Sequence, residues 1–368
     1  MDNSKHIDKI DFLRGIAILL VFLYHSQLCL YPSFSIQYGI NHIIQLRDTK
    51  TTFLFLSPIN YGWSGVSLFL IISGYLIHRG FLNNPKGFAI KKFYIKRFCR
   101  IYPPYILVLF FVVLTTSGFF YFFTRKGFID VISHVLLVYN LKDSTYYSIN
   151  PSFWSLAMEV QLYLLYPIFL LIRNKVGIVR TFFILFCFTI LLNLTSGLLP
   201  DYIHNSVSYK SSAITNWPIW AIGALIAEIE LMNKVIFKKR GFLIALSCYL
   251  LFILCKSYSY TDEIGYIFMF LGLVAFFEWF INTSYAINKY VFKIVSIVGI
   301  CSYSIYLIHQ PYLNRLFDFL SIMYYNHSKF KTVFIPLIVL LTFIIIFLIS
   351  YGLYLFVERK STQLSKNI

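Results

Sequence analysis

Apolar stretches of about twenty residues recur from one end of this chain to the other, and nothing constrains its fold more. An α-helix needs ~20 mostly apolar residues to cross a hydrocarbon layer, because only a helix or a closed barrel satisfies its backbone there. About ten such stretches are found. They cover roughly 9–29, 59–79, 102–123, 152–172, 177–197, 213–231, 241–257, 263–281, 294–316 and 332–357. A further apolar run, 129–140, is too short and reads as re-entrant or interfacial. Only 13% of the residues are charged and 58% are hydrophobic, which excludes an ordinary soluble domain. No repeat, low-complexity segment or linker divides the chain. The expectation is an all-α polytopic membrane protein forming one transmembrane domain over residues 1–368, with no soluble appendage.

The formal net charge of +17 is a topology signal. Bases crowd into "HRGFLNNPKGFAIKKFYIKRFCR" (78–100), "RNKVGIVR" (173–180), "KVIFKKR" (234–240), and around Lys289 and Lys293. With Lys5, Lys9 and the tail "ERKSTQLSK", they all fall on one side of a ten-span alternation that begins inside. Since bases favour cytoplasmic loops, both termini are expected there. Bases spread over thin loops make no nucleic-acid surface, so no nucleic-acid partner is expected. Cys29, Cys99, Cys187, Cys248, Cys255 and Cys301 are scattered, mostly inside apolar runs, and match neither a disulfide framework nor a zinc site; no metal is expected. The N-terminal run lacks a cleavage pattern and reads as a retained first span.

"DFLRGIAILLVFLYHS" (11–26) places Arg14 and His25 in that first span. Eleven residues bring them within ~20° of one helix face, ~16 Å apart along the axis. Taken singly, Arg14 is equally a snorkelling anchor and His25 an interhelical hydrogen-bonding group. The shared face favours function: a permanent cation that grips an anion at one end, and an imidazole that takes a proton at the other. A long cofactor with phosphates at one end and a reactive group at the other, such as acyl-coenzyme A, has that shape.

Other segments add candidates. In "KRFCRIYPPYIL", Arg97 and Arg100 stand i, i+3 and suit phosphate; Pro103 and Pro104 fit the first turn of the third span. In "NPSFWSLAMEVQLYLLYP", Trp154 suits the interface, and Glu159 and Gln161 lie within the membrane, where a carboxylate needs a partner. Glu159 sits roughly 8 Å below the outer boundary, level with His25. "CSYSIYLIHQPYL" brings His309 to the outer half as well, with Tyr303 and Tyr306 on that face or the next; His309 alone also reads as a packing histidine before a kink at Pro311. In "WSGVSLFLIISGYLI" the small residues Ser64, Gly65, Ser67, Ser73 and Gly74 read as close helix packing.

These pieces, in this order and spacing, resemble the acyltransferase-3 family of integral-membrane O-acyltransferases over nearly the whole chain. The closing "YGLYLFVERKS" also fits. The resemblance implies roles in transfer for Arg14 and His25, acyl-CoA binding for Arg97 and Arg100, and a site role for Glu159. It departs at Val160, where a second acid is common, and at Ser67, where Asp is common. Some relatives carry an esterase-like domain outside the membrane, and none is expected here. The implied function is transfer of an acyl group, acetyl in the simplest case, from cytoplasmic acetyl-CoA to a hydroxyl of a surface glycan or its lipid-linked precursor, such as O-antigen or exopolysaccharide. Catalytic roles fall to His25, Glu159 and Arg14, donor binding to Arg14, Arg97 and Arg100. Substrate contacts fall to Glu159, Gln161, Trp154, His309 and Tyr303. An acyl-histidine step stays open beside direct transfer. The expected setting is a bacterial inner membrane, with membrane lipid as surroundings. The alternative is a polysaccharide flippase or polymerase that moves no acyl group.

Overall fold

A computed structural model describes residues 3–30, 57–84, 87–256, 262–283, 287–325 and 331–364. Among the described residues there is no β-strand. The principal helices are α1 (Asn3–Leu30), α2 (Ser64–Leu82), α3 (Ile90–Thr116), α4 (Arg125–Val135), α5 (Trp154–Val176), α6 (Ile178–Thr195) and α7 (Trp217–Leu231). They continue with α8 (Gly241–Lys256), α9 (Asp262–Asn282), α10 (Lys289–Ile300), α11 (Ser302–Tyr325) and α12 (Lys331–Leu353). A π-helical turn, Tyr354–Glu358, leads into α13 (Arg359–Leu364).

All ten expected spans coincide with helices, and the fold is that of a polytopic all-α membrane protein. Among the described residues, seven helices are long and apolar enough to cross a membrane, eight if α10 and α11 count as one broken span. The difference from ten lies in α7 and α8, apolar helices of only 15 and 16 residues. The third span also differs: α3 begins at Ile90, so Pro103 and Pro104 lie inside it and not in its first turn. The basic stretch extends the helix beyond its apolar part, and the two prolines deprive the Cys99 and Arg100 carbonyls of their ladder donors. The chain leaves that helix at Ser117 and Gly118, the latter at φ 81°, where glycine carries no Cβ penalty. The short run after it forms α4, eleven residues long and too short to span; Thr124 caps it by accepting the Gly127 amide (2.9 Å). All six cysteines are free thiols.

The chain folds into two compact units. One comprises Met1–Ile72, Ile229–Ser302 and Leu313–Ile345. In it α1 packs on the start of α2 through glycines: a Cβ on Gly62 or Gly65 would meet the carbonyl of Leu20 or Ala17, so the two helices run antiparallel. Phe12 stacks between Phe280 (5.2 Å) and Phe292 (4.9 Å), while Lys9 donates to the Ile281 and Thr283 carbonyls (3.0 and 2.9 Å) that end α9. Helices α8 and α9 form an antiparallel pair, with Gly241 on Trp279, Cys248 on Gly272 and Cys255 on Gly265. The buried Glu278 carboxylate accepts the amides of Ile236 (2.5 Å) and Phe237 (2.7 Å), which fixes the turn before α8.

The ninth span is not one straight helix. It breaks at Cys301 with a bend of 73°, ten residues before the Pro311 where the sequence suggested a kink. The cause is packing. Helix α10 packs on α1 in opposite sense, with Val295 on Gly15 and Gly299 against the Asp11 carbonyl, and the chain turns where that contact ends. Further on, Cys29 Sγ meets Asn314 Oδ1 at 2.6 Å; from Asp11–Gly299 to Cys29–Asn314 the chain therefore advances in the same sense as α1.

The other unit comprises Ser73–Glu228, Tyr303–Tyr312 and Ile346–Ile368. Ser73 meets Tyr163 and His78 meets Tyr166, so α2 and α5 run parallel. Gly74 meets Trp220 and His78 meets Glu228, so α7 runs parallel to α2 as well. Spans two, four and six of an alternating bundle must have this relation. Helix α6 is sparsely covered, with Phe183, Leu191 and Leu194 exposed as lipid-facing residues should be.

Candidate functional site

Because α1 is continuous from Asn3 to Leu30, Arg14 and His25 do share a face, ~16 Å apart. Both are half-buried. Arg14 Nη1 lies 3.8 Å from Asp11 Oδ1 on the preceding turn. That turn is the one α10 crosses, through Gly15 and through the Asp11 carbonyl, so α10 braces the backbone carrying the guanidinium. At the other end, the His25 ring stands beside Tyr24, with centroids 5.4 Å apart. One turn on, the buried Gln27 donates from Nε2 to Asn60 Oδ1 (3.1 Å) and ties the end of α1 to the turn before α2.

Seven of the expected residues lie in the second unit, on α3, α5 and α11. Helix α5 presents Ser155, Glu159, Tyr163 and Tyr166 at spacings of four, four and three, a single polar stripe. Tyr163 donates to Glu159 Oε1 (2.5 Å), and Ser73 is hydrogen-bonded to the same phenol (3.3 Å). The Arg97 guanidinium sits over the Tyr163 ring at 5.4 Å and the Phe93 ring at 5.7 Å. It interacts electrostatically with Tyr163, Arg100 and Glu159. So Arg97, Arg100 and Glu159 are brought together, with Tyr163 as the group that joins them. A cation held over an aromatic face and a carboxylate bound by a phenol make a place for an anion beside a group that can order a hydroxyl.

Tyr303 and His309 border this cluster. The Tyr303 hydroxyl donates to the Ile101 carbonyl (2.8 Å), and the ring lies within the electrostatic reach of Glu159 and Tyr163. One turn later Tyr306 donates to the Ser152 carbonyl and is bonded to Ser155 (2.6 Å). His309 is fully buried; Nδ1 donates to the Tyr306 carbonyl (2.9 Å) and Nε2 lies 3.4 Å from Ser152 Oγ. These bonds lock the start of α11 to the turn that opens α5, with Asn150 donating to the Leu307 carbonyl (3.1 Å). Gln161 and Trp154 are not in the cluster. Gln161 lies ~200° round α5 from Glu159 and exchanges two amide bonds with Asn140 (2.7 and 3.2 Å). Trp154 stacks on Tyr146 at 6.0 Å.

Tyr163, Ser155 and Ser73 do not stand out as site residues in the sequence, and Tyr306 is left between two faces. The i, i+4 recurrence of polar groups on α5 is the signal for the first two. A second cluster hidden from the sequence closes the parallel trio α2, α5 and α7. The fully buried His78 donates from Nε2 to Glu228 (2.9 Å) and meets the Tyr166 hydroxyl at Nδ1 (3.1 Å). Arg173 grips the same carboxylate through Nε (3.0 Å) and Nη2 (2.7 Å). A carboxylate inside the apolar "AIGALIAEIEL" is its signal; His78 itself reads as one of the loop bases. Outside the spans, burial pushes the His134 imidazole of α4 down to about 4, against the opposing pull of the Asp130 carbonyl that accepts from its Nδ1 (2.7 Å).

Comparison with known proteins bears on what such a site serves. Residues 7–355 match the acyltransferase domain of the acyltransferase-3 type. The chain belongs to the acyltransferase-3 family. Over 342 residues, 84% of this chain, it is 25% identical to the peptidoglycan O-acetyltransferase OatA of Listeria monocytogenes, and it spans 50% of that protein's length. Over 208 residues it is 30% identical to an uncharacterized protein of Haemophilus influenzae, covering 51% of this chain and 84% of that one. No solved structure matches. As an acyltransferase-3 domain, the chain carries its described polar clusters on helices that pack through glycine and aromatic contacts, which hold the side chains more firmly than loops would.

Proposed function

We propose that this protein is a membrane-bound O-acyltransferase that moves an acyl group, acetyl in the simplest case, from cytoplasmic acyl-CoA to a hydroxyl of a cell-surface glycan or its lipid-linked precursor. Membership of the acyltransferase-3 family supports the reaction class, and similarity to a peptidoglycan O-acetyltransferase supports a polysaccharide acceptor. The observation that carries the donor assignment is Arg97, held over the ring of Tyr163, whose phenol donates to Glu159, with Arg100 one turn further along α3. Arg14, Arg97 and Arg100 bind the donor phosphates; arginine suits them because its planar fork is always charged. The His25 imidazole accepts the proton of the acceptor hydroxyl as its oxygen attacks the thioester carbonyl. The carbon–sulfur bond breaks, and the departing thiolate takes the proton from the imidazolium. Glu159 orients the acceptor, with Tyr303 and His309 shaping its surroundings and Trp154 and Gln161 bracing the rim. The setting is the inner membrane of a bacterium.

The test is acyl transfer in membranes. Vesicles holding the protein should release free thiol from acetyl-CoA when supplied with glycan, and surface glycans from producing cells should gain one acyl-sized mass. His25→Ala should abolish both while leaving expression and insertion intact. Thiol release by His25→Ala at the wild-type rate would refute its role. A wild-type protein that releases none would favour a glycan carrier.

A further inference from the structure

The last helix of the second unit carries a carboxylate that the reaction as proposed does not use. Glu358 closes the π turn Tyr354–Glu358 and is 6% exposed. A carboxylate buried at this depth is stable only when its oxygens are engaged. The fully buried Ser304 donates to its Oε2 at 2.6 Å. Ser304 is the third residue after the break at Cys301, and its neighbour Tyr303 donates to the Ile101 carbonyl at 2.8 Å. Ile101 directly follows Arg100, at the point where Pro103 and Pro104 have removed two ladder donors from α3. The Tyr303 ring is within electrostatic reach of both Glu358 and Glu159. The π turn and α13 both pack on α3. A π turn inserts one extra residue into a helix and re-aims the side chains beyond it, and such turns recur at functional sites.

We propose that Glu358 is a positioning residue for the acyl-donor site, an inference that rests on the function proposed above. Through Ser304 it fixes the first turn of α11. That turn sets Tyr303, and Tyr303 holds the proline-weakened segment of α3 on which Arg97 and Arg100 stand. Glu358 touches neither donor nor acceptor in this role. Its loss lets the arginine turn drift, which weakens donor binding and leaves the chemical step in place.

The experiment measures thiol release from acetyl-CoA by the full chain in vesicles, with wild type first. A wild-type protein without that activity sinks the functional reading itself and is distinguishable from failure of this inference. Given an active wild type, Glu358→Ala and Ser304→Ala should each raise KM for acetyl-CoA about tenfold with kcat within about twofold. The double variant should be no worse than either single one, because both remove the same bond. Glu358→Gln keeps an oxygen that accepts from Ser304 and should recover most of the loss. Phe356→Ala, 71% exposed on the same turn, should leave both constants at wild-type values. Unchanged KM in both single variants, effects that multiply in the double variant, or a fall confined to kcat would each overturn the proposal. If Glu358→Ala does not fold, Ser304→Ala and Glu358→Gln carry the comparison alone.

Discussion

A carboxylate inside a bilayer persists only where something satisfies it, and Glu159 has Tyr163, which in turn is bonded to Ser73 and overlaid by Arg97. The guanidinium plane matters here, because an ammonium can sit over a ring but cannot lie flat on it while forking onto a phosphate. Arg97→Lys and Arg14→Lys should each raise KM for acetyl-CoA about tenfold or more, a loss of ~1.4 kcal/mol or above, while the chain still inserts; steady-state kinetics on vesicles checks this. An unchanged KM in both would remove the phosphate role. His134 makes a different prediction, about stability. Its imidazole titrates near 4 when folded against 6.5 ordinarily, so between those values the unfolded chain binds more protons. Stability is then complete above pH 6.5 and falls as pH drops towards 4, by up to about 3 kcal/mol. Melting curves in detergent from pH 7 to 4.5 should slope accordingly, and His134→Gln should flatten the slope. Arg14, His25 and Glu159 stand out in the sequence because an ionisable group in an apolar run is costly, and Arg97 and Arg100 because two arginines stand i, i+3 where the third span opens. Tyr163 does not, because a tyrosine in a span is ordinary until its partner is known.

At the scale of elements, the crossing of α1 by α10 decides where the Arg14 turn sits. Gly299 is the close contact: a Cβ there would run into the Asp11 carbonyl, which is backbone and cannot swing away. Gly299→Ala should therefore cost about 1–3 kcal/mol, seen as a lower melting temperature in detergent. It should also raise KM for acetyl-CoA, because the turn that shifts is the one carrying Arg14. Wild-type melting with Gly299→Ala would show that the helices do not approach this closely. The position of each helix was readable from hydrophobicity, whereas the break at Cys301 was not. Residues 294–316 have the length and hydropathy of one span and no proline near Cys301, so nothing in their order marks the bend. The early start of α3 was equally hidden, since Lys91, Lys92 and Lys96 read as loop charge until seen on a helix.

At the scale of the whole molecule, basic loops and parallel helices support the same topology. Helices α2, α5 and α7 run parallel and end together at His78, Arg173 and Glu228, where the flanking segments are basic. In a background freed of the native thiols, Lys96→Cys and Lys175→Cys should be shielded from a membrane-impermeant maleimide in intact cells. Lys126→Cys and Tyr202→Cys should react. The reverse pattern would invert the orientation and place the Arg97 cluster away from cytoplasmic donor.

Hydrophobic run length and the placement of Lys and Arg determine the helical membrane class and its expected orientation, because lipid penalises an unsatisfied backbone and the charge bias acts locally along the chain. The family motifs are equally a property of the linear order. Tertiary structure decided that Tyr163 joins Arg97 to Glu159, that α10 braces Arg14, and that a π turn delivers Glu358 to Ser304. Each of these depends on which faces of remote helices meet. In an apolar span every face looks alike until packing and buried hydrogen bonds choose one.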